Sequence, residues 1–474
     1  MKTNIDCAVN FVRKIETNYD VKSIRVQNLE VWPFLRTAYY SAYSNKYLFS
    51  NGQEKTSLWT KIKRVKNIPY GLKNLFKKYD YLVFSNALER VLADGKYINK
   101  LAEFLISELG KERVLLIENP VKGIHFKRSK IATENIISLD FFHIFSRLPI
   151  SKLSKRKLII NNKIILEEIN KEYKLNVNYR MLISRFLCCK DLFRIFYRIY
   201  KPKSMFISCY YSLMNQAAIY AAKKDGIKTI ELQHGIINKK HPAYNIFTNL
   251  DKSFFPDYLF SFGDYVRDVF DRNNHFIKSK NVVPIGSMYI DYINNEYEAP
   301  RKTIRMFNNF RKQYKKIVAI SSQWIIETKL IRFLKKAASL NKDILYIFVP
   351  RDINKDYSFA KFPENIIILK GLNVYQVVKE VDFHATVCST CALEAPALGI
   401  PNILINIGGF AKENYLNLLT NQDVTKFVDT EEEFVNTILD WKAKTKEEIK
   451  DLHSGFYKQN YRENLRYALR VVLG

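Results

Sequence analysis

Three short segments hold side chains whose types and spacing fit recognisable chemistry. The first is CSTCALEAPALGIPNILIN, Cys388 to Asn406. An apolar run ends at Val387, and Ser389 and Thr390 open a helical pattern. The free N–H groups and positive dipole end of a helix start suit a phosphate. Glu394 follows Ser389 by about 1.4 turns, in reach of a ribose whose phosphate the helix start holds, and carboxylates pair well with vicinal hydroxyls. Gly399-Ile400-Pro401 ends the helix and re-enters a strand. The competing reading is an N-cap beside a surface glutamate.

The second segment is ELQHGIINKKHPAY, Glu231 to Tyr244. A strand-like run leads into Gln233-His234-Gly235, and the end of a strand is where open α/β sheets bind ligands. A histidine there takes a proton from an acceptor hydroxyl or holds a phosphate. Gly235 lets a substrate approach the backbone. His241 and Gln233 are further acceptor-side or phosphate-side candidates. Structural histidines beside a turn glycine remain the alternative. The third segment is FSNALERVLADGKY, Phe84 to Tyr97, where a loop carries Glu89, Arg90, Asp94 and Lys96. Asp94-Gly95 makes a tight turn, and a solvated turn is its plain reading. Gly286 after VVPI, and Ser321-Ser322-Gln323 after IVAI, are smaller candidates, with Ser322 a contact for donor phosphate.

The elements that must position these residues alternate between strand and helix. YLVFSN (81–86), RVLLIEN (113–119), SMFISCYY (204–211), KTIELQ (228–233), YLFSFG (258–263) and VVPIG (282–286) read as strands. KYINKLAEFLISELG (96–110) and SLMNQAAIYAAKKDG read as helices, the latter closed by Gly226. A polar segment, 294–316, marks a domain boundary. The pattern then restarts with IVAISS, DILYIFVP, NIIIL, DFHATV and PNILIN as strands. Such alternation indicates parallel α/β units. The expected fold is α/β with two Rossmann-like domains, 1–293 and 294–474. Whether the final helix packs back on the first domain is left open. Residues 120–200 read as two basic, aromatic-rich helical stretches, and 430–474 as helical throughout.

Composition bounds the classes. The 474 residues are 47% hydrophobic and 26% charged, which excludes a disordered chain or a disulfide mini-scaffold. Lys+Arg 76 against Asp+Glu 47 gives +29, which favours polyanions, anionic lipid or phosphate-bearing substrates. Lys and Arg alternate with aromatic and aliphatic residues over 59–78 and again over 185–203. That composition suits a helix lying in anionic headgroups, or core-facing aromatics with a basic edge. No nucleic-acid-binding signature accompanies it. The six cysteines, with a lone Cys388-x-x-Cys391, lack the further ligands a zinc site needs. They read as reduced, as in a cytosolic protein. The N-terminus has no apolar signal core, and the longest uncharged run, 204–222, does not read as a membrane span.

The run S-T-x-x-x-E-A-x-x-x-G-x-P-x-I after a strand resembles the donor-site motif of GT-B glycosyltransferases of bacterial capsule and O-antigen biosynthesis. QHG followed by HP resembles the same enzymes and, loosely, teichoic-acid polymerases. The resemblance implies a deep interdomain cleft. It makes Ser389, Thr390 and Glu394 the donor anchors, and His234 or Asp94 the base, with Lys96 nearby. Val349-Pro350 stands where such enzymes often carry His-Pro, so Arg351 would supply the phosphate charge bidentately. The implied activity is transfer of a sugar from a nucleotide-sugar to a lipid-linked surface glycan. No metal or other cofactor is expected, and no DxD-type motif closes a strand. The expected place is cytoplasmic, peripheral on the inner membrane face through 59–78 and 185–203. A CDP-polyol phosphotransferase, a nucleotide-sugar epimerase and a non-catalytic polyanion-binding protein are the alternatives.

Overall fold

Runs of branched and aromatic residues without a polar face suit strands covered on both sides, as in parallel sheets. The computed structural model describes residues 4–48, 64–93, 95–121, 123–146, 158–323, 326–351 and 355–474, and divides them into two units. The first comprises Met1–Ile285 together with Arg462–Gly474, and the second Gly286–Tyr461. Asp94 and residues 59–63 of the first basic stretch lie outside the described residues.

The strands of the first unit's main sheet are β1 (Tyr81–Asn86), β2 (Val114–Asn119), β3 (Ile136–Ser138), β4 (Ser204–Ser208), β5 (Lys228–Leu232), β6 (Tyr258–Ser261) and β7 (Val282–Pro284). All pair in parallel, in the spatial order 3-2-1-4-5-6-7. The second unit has β8 (Lys316–Ser321), β9 (Ile344–Val349), β10 (Ile366–Ile367), β11 (Phe383–Thr386), β12 (Asn402–Ile405) and β13 (Thr425–Val428). These are also parallel, in the order 10-9-8-11-12-13. Both units are therefore Rossmann-like, and each order reverses at one point. Those switch points, between β1 and β4 and between β8 and β11, are where crevices open at strand ends.

The first unit's core includes two N-terminal helices, α1 (Asn4–Asn18) and α2 (Trp32–Tyr47). Helix α3 (Tyr179–Tyr200) turns Ile183, Phe186, Cys189, Phe193, Phe196 and Tyr197 into the same core. Phe186 stacks on Phe34 with centroids 3.9 Å apart, and such pairs add about 0.5–1.5 kcal/mol beyond their buried area. This settles part of the 185–203 stretch. Its phenyl rings are core, and the large apolar side chains left exposed are Ile195 and Ile199. Helix α4 (Leu213–Lys224) follows β4, with its Ser212 cap accepting from Asn215 N. The second unit's core gathers β8, β9, β11 and β12 against α5 (Glu327–Leu340). Helix α6 (Cys391–Ala397) follows β11, and α7 (Tyr461–Leu473) ends the chain.

Two sequence expectations change. Lys96–Asn99, expected as the front of a helix, is instead a strand paired antiparallel with Arg90–Ala93. Polar clamps hold this hairpin: Arg90 Nε lies 2.6 Å from Glu118 Oε2, and Asn99 Nδ2 donates to Ser85 Oγ at 2.7 Å. Residues 120–200 contain strand β3 as well as helices. Three residues are too few to show an alternating pattern.

Candidate functional site

In the first unit the loops leaving β1, β4 and β5 meet at the switch point. Cys209, directly after β4, has a φ of +60°. Non-glycine residues seldom adopt that conformation, and it concentrates at functional sites. Tyr211 follows, with its ring 5.9 Å from that of His234 and 5.6 Å from that of His241. Its Oη is 3.3 Å from His234 Nε2. One tyrosine thus joins the two histidines of the QHG segment. His234 Nδ1 is buried without a hydrogen-bond partner among the described residues. Desolvation lowers the His234 pKa, which keeps its ring neutral at pH 7. His241 is pushed down to about 3, mainly by desolvation and then by His234, and its Nδ1 accepts from Ala243 N at 3.2 Å.

The other expected residues of this segment separate. Gln233 is buried, donating to the Gly235 carbonyl at 2.8 Å and accepting from Phe262 N at 2.7 Å. Its amide oxygen therefore ties the end of β5 to that of β6, while its amide nitrogen holds the loop after β5. A Cβ built on Gly235 would meet open space, which leaves the backbone approachable. Lys96 is exposed on the hairpin. Lys100 pairs instead with Glu89, 3.4 Å away after β1.

Sequence reasoning missed what holds the His241 loop. Arg36 on α2, fully buried, donates to the carbonyls of Pro242, Ala243 and Asn245 at 2.9–3.1 Å. Its Nε donates to Glu16 Oε1 on α1 at 2.9 Å. Glu16 also accepts from Trp32 Nε1 at 3.1 Å and Phe247 N at 2.8 Å. The pair is satisfied on every side, the condition for tolerating buried charge. Only the apolar periodicity of its two helices hinted that they would be core.

In the second unit the ends of β8 and β11 flank the switch point. Ser389 is buried, its Oγ accepting from Cys391 N at 3.3 Å and its carbonyl from Tyr415 Oη at 2.7 Å. Thr390 is exposed. Glu394 is half-buried, and Tyr375 Oη donates to its Oε1 at 2.8 Å. Gln323 binds the Cys388 carbonyl at 2.8 Å, which joins the two loops. Ser322 donates to Glu327 Oε1 at 3.1 Å, so its hydroxyl hydrogen is spent inside the fold. Arg351 is exposed after β9. Gly286, one of the smaller candidates, is fitted to close packing within its own unit. Its φ is +87°, and a Cβ there would lie 2.3 Å from the Lys458 carbonyl. The Cys391 thiol is raised to about 12, chiefly by burial and then by Glu394, which makes it a poor nucleophile. Among the described residues no cluster of three or more His, Cys, Asp or Glu is grouped to hold a metal. Among them, too, no helix is long and apolar enough to cross a membrane.

No protein-family model and no curated protein matches the chain. Solved structures do match. The glycosyltransferase SnogD from Streptomyces nogalater is similar with a TM-score of 0.50 at 10% identity, over 83% of this chain and 100% of that one. The UDP-GlcNAc 2-epimerase from Methanocaldococcus jannaschii is similar with a TM-score of 0.50 at 11% identity, over 83% and 99%. At such identities the likeness is one of fold. With the two parallel sheets and their strand orders, it shows a GT-B-type fold of two Rossmann-like units.

Proposed function

We propose that the protein is a glycosyltransferase that takes a sugar from a nucleotide-sugar donor. The observation that carries this is the grouping of Ser389, Thr390 and Glu394 at the second unit's switch point, with Glu394 steadied by Tyr375. In this reading Glu394 grips the ribose. Arg351 and backbone N–H groups near Ser389 take the phosphates, and no metal is assigned. The acceptor side is the first unit's switch point. His234, neutral because burial lowers its pKa, removes the acceptor proton, and Tyr211 orients it. Asp94 is the rival base. The finer proposal is a lipid-linked capsule, O-antigen or lipooligosaccharide acceptor at the inner membrane face.

The test is a thermal-shift panel with CMP, CDP, UDP, GDP and dTDP. One nucleotide should raise the melting temperature of the wild type, and Glu394→Ala should abolish the shift. A shift that survives in the variant removes Glu394 from the site. His234→Ala should lower turnover roughly a hundredfold or more, and a mild effect moves the base to Asp94. Turnover of the nucleotide-sugar without any acceptor would make the protein an epimerase instead. A phosphodiester product would make it a polyol phosphotransferase. Tight heparin binding without nucleotide preference would leave only a polyanion-binding protein.

A further inference from the structure

Beneath the end of β8 lies a hydrogen-bonded row that the donor site above does not use. His384 on β11 is fully buried opposite its register partner, Asn402 on β12. Its Nδ1 lies 2.7 Å from Asn402 Oδ1, and its Nε2 lies 2.5 Å from Ser321 Oγ. Asn402 Nδ2 donates to the Ala392 carbonyl on α6 at 2.9 Å. That last bond fixes the direction of the others. A backbone carbonyl only accepts, so it takes the NH2 side of Asn402. The Asn402 oxygen then faces His384, and Nδ1 must carry the hydrogen. Desolvation pushes His384 down to about 4, so at pH 7 the ring is neutral and Nε2 is bare. Ser321 therefore donates to it.

The neighbouring hydroxyls point the same way. Ser322 and Tyr357 both donate to Glu327 Oε1, at 3.1 and 2.8 Å. Thr386 donates to the Ser321 carbonyl at 2.9 Å. The hydrogens of Ser321, Ser322, Tyr357 and Thr386 are all turned into the fold. What Ser321 has left to offer is lone pairs, one of them facing the buried Cys391 thiol.

We infer that the end of β8 recognises a ligand hydroxyl, that of the nucleotide's ribose, and not a ligand phosphate. The inference rests on the nucleotide-binding reading above and sharpens it. A phosphate requires hydrogen-bond donors, whereas a hydroxyl brings its own hydrogen to an acceptor. Ser321 is all but buried, at 5% exposure. His384 is a positioning residue that touches no ligand and acts by holding the Ser321 hydrogen away.

Calorimetric titration of the full chain tests this with two probes. One is whichever of CDP, UDP, GDP or dTDP gives the largest shift in the panel, and the other is inorganic pyrophosphate. Ser321→Ala should weaken the nucleotide about tenfold and leave pyrophosphate within about twofold. His384→Leu should do the same. His384→Gln, whose amide oxygen can accept the Ser321 hydrogen, should restore nucleotide affinity. An equal loss for pyrophosphate, an unchanged nucleotide affinity in Ser321→Ala, or Gln behaving as Leu overturns the inference. Where a His384 variant loses its circular dichroism spectrum, Ser321→Ala decides alone. A wild type that binds none of these probes refutes the nucleotide site itself, and this inference with it.

Discussion

Glu231 sits on β5 with its carboxyl fully buried. Oε1 accepts from Tyr210 N at 3.0 Å and Tyr244 Oη at 2.7 Å, while Oε2 has no partner among the described residues. Burial raises its pKa from 4.5 to about 8. The unfolded chain therefore ionises first as pH rises, while the folded chain keeps its proton. Stability should fall between pH 4.5 and about 8, by up to about 1.4 kcal/mol per pH unit, and level off above. Glu231→Gln should flatten that slope, as read from urea midpoints at pH 5 and 8.5, and a slope unchanged in the variant rules the carboxyl out. Residues of this kind mark the limit of a sequence reading. Glu394 and His234 stood out as candidates because the motifs that carry them span only a few positions. Arg36 and His384 were not, because what defines them is a partner far along the chain: Arg36 meets the carbonyl of Asn245, and His384 meets Ser321.

At the level of elements, α3 and the short 3-10 helix Leu72–Phe76 belong together. Tyr200 Oη donates to the Leu75 carbonyl. Phe76 is 87% exposed and Ile199 66%, and Lys73, Lys77, Lys78, Arg198, Lys201 and Lys203 are exposed with them. Residues 64–79 and 192–203 contain no Asp or Glu. For the proposed inner-face location, apolar side chains ringed by lysine are the means of attachment. The double variant Phe76→Glu/Ile199→Glu should cut flotation with anionic vesicles roughly tenfold or more, since each buried apolar side chain contributes about 1.5–3 kcal/mol. Added salt should weaken wild-type binding, and equal binding to neutral vesicles defeats the electrostatic account. The parallel strands were readable as unbroken apolar runs. The hairpin was not, because Tyr97 to Leu105 carries apolar residues at spacings that fit a helix as well as a strand.

For the whole molecule, the net charge of +29 follows from 76 cations whose ion pairs are mostly at the surface, where each is worth about 0–1 kcal/mol. The excess therefore says little about what holds the fold and more about what approaches it. Stability resides in the two separate apolar cores. The first unit is built from two pieces of chain, Met1–Ile285 and Arg462–Gly474, with the whole second unit between them. Within the first unit, Arg466 grips Glu108 at 2.8 Å and Lys228 reaches the Val472 carbonyl. On the ribosome, where domains fold as they emerge, the second unit is thus complete before the first. The earlier-made piece must wait, with the seat of α7 uncovered, until residues 462–474 leave the exit tunnel.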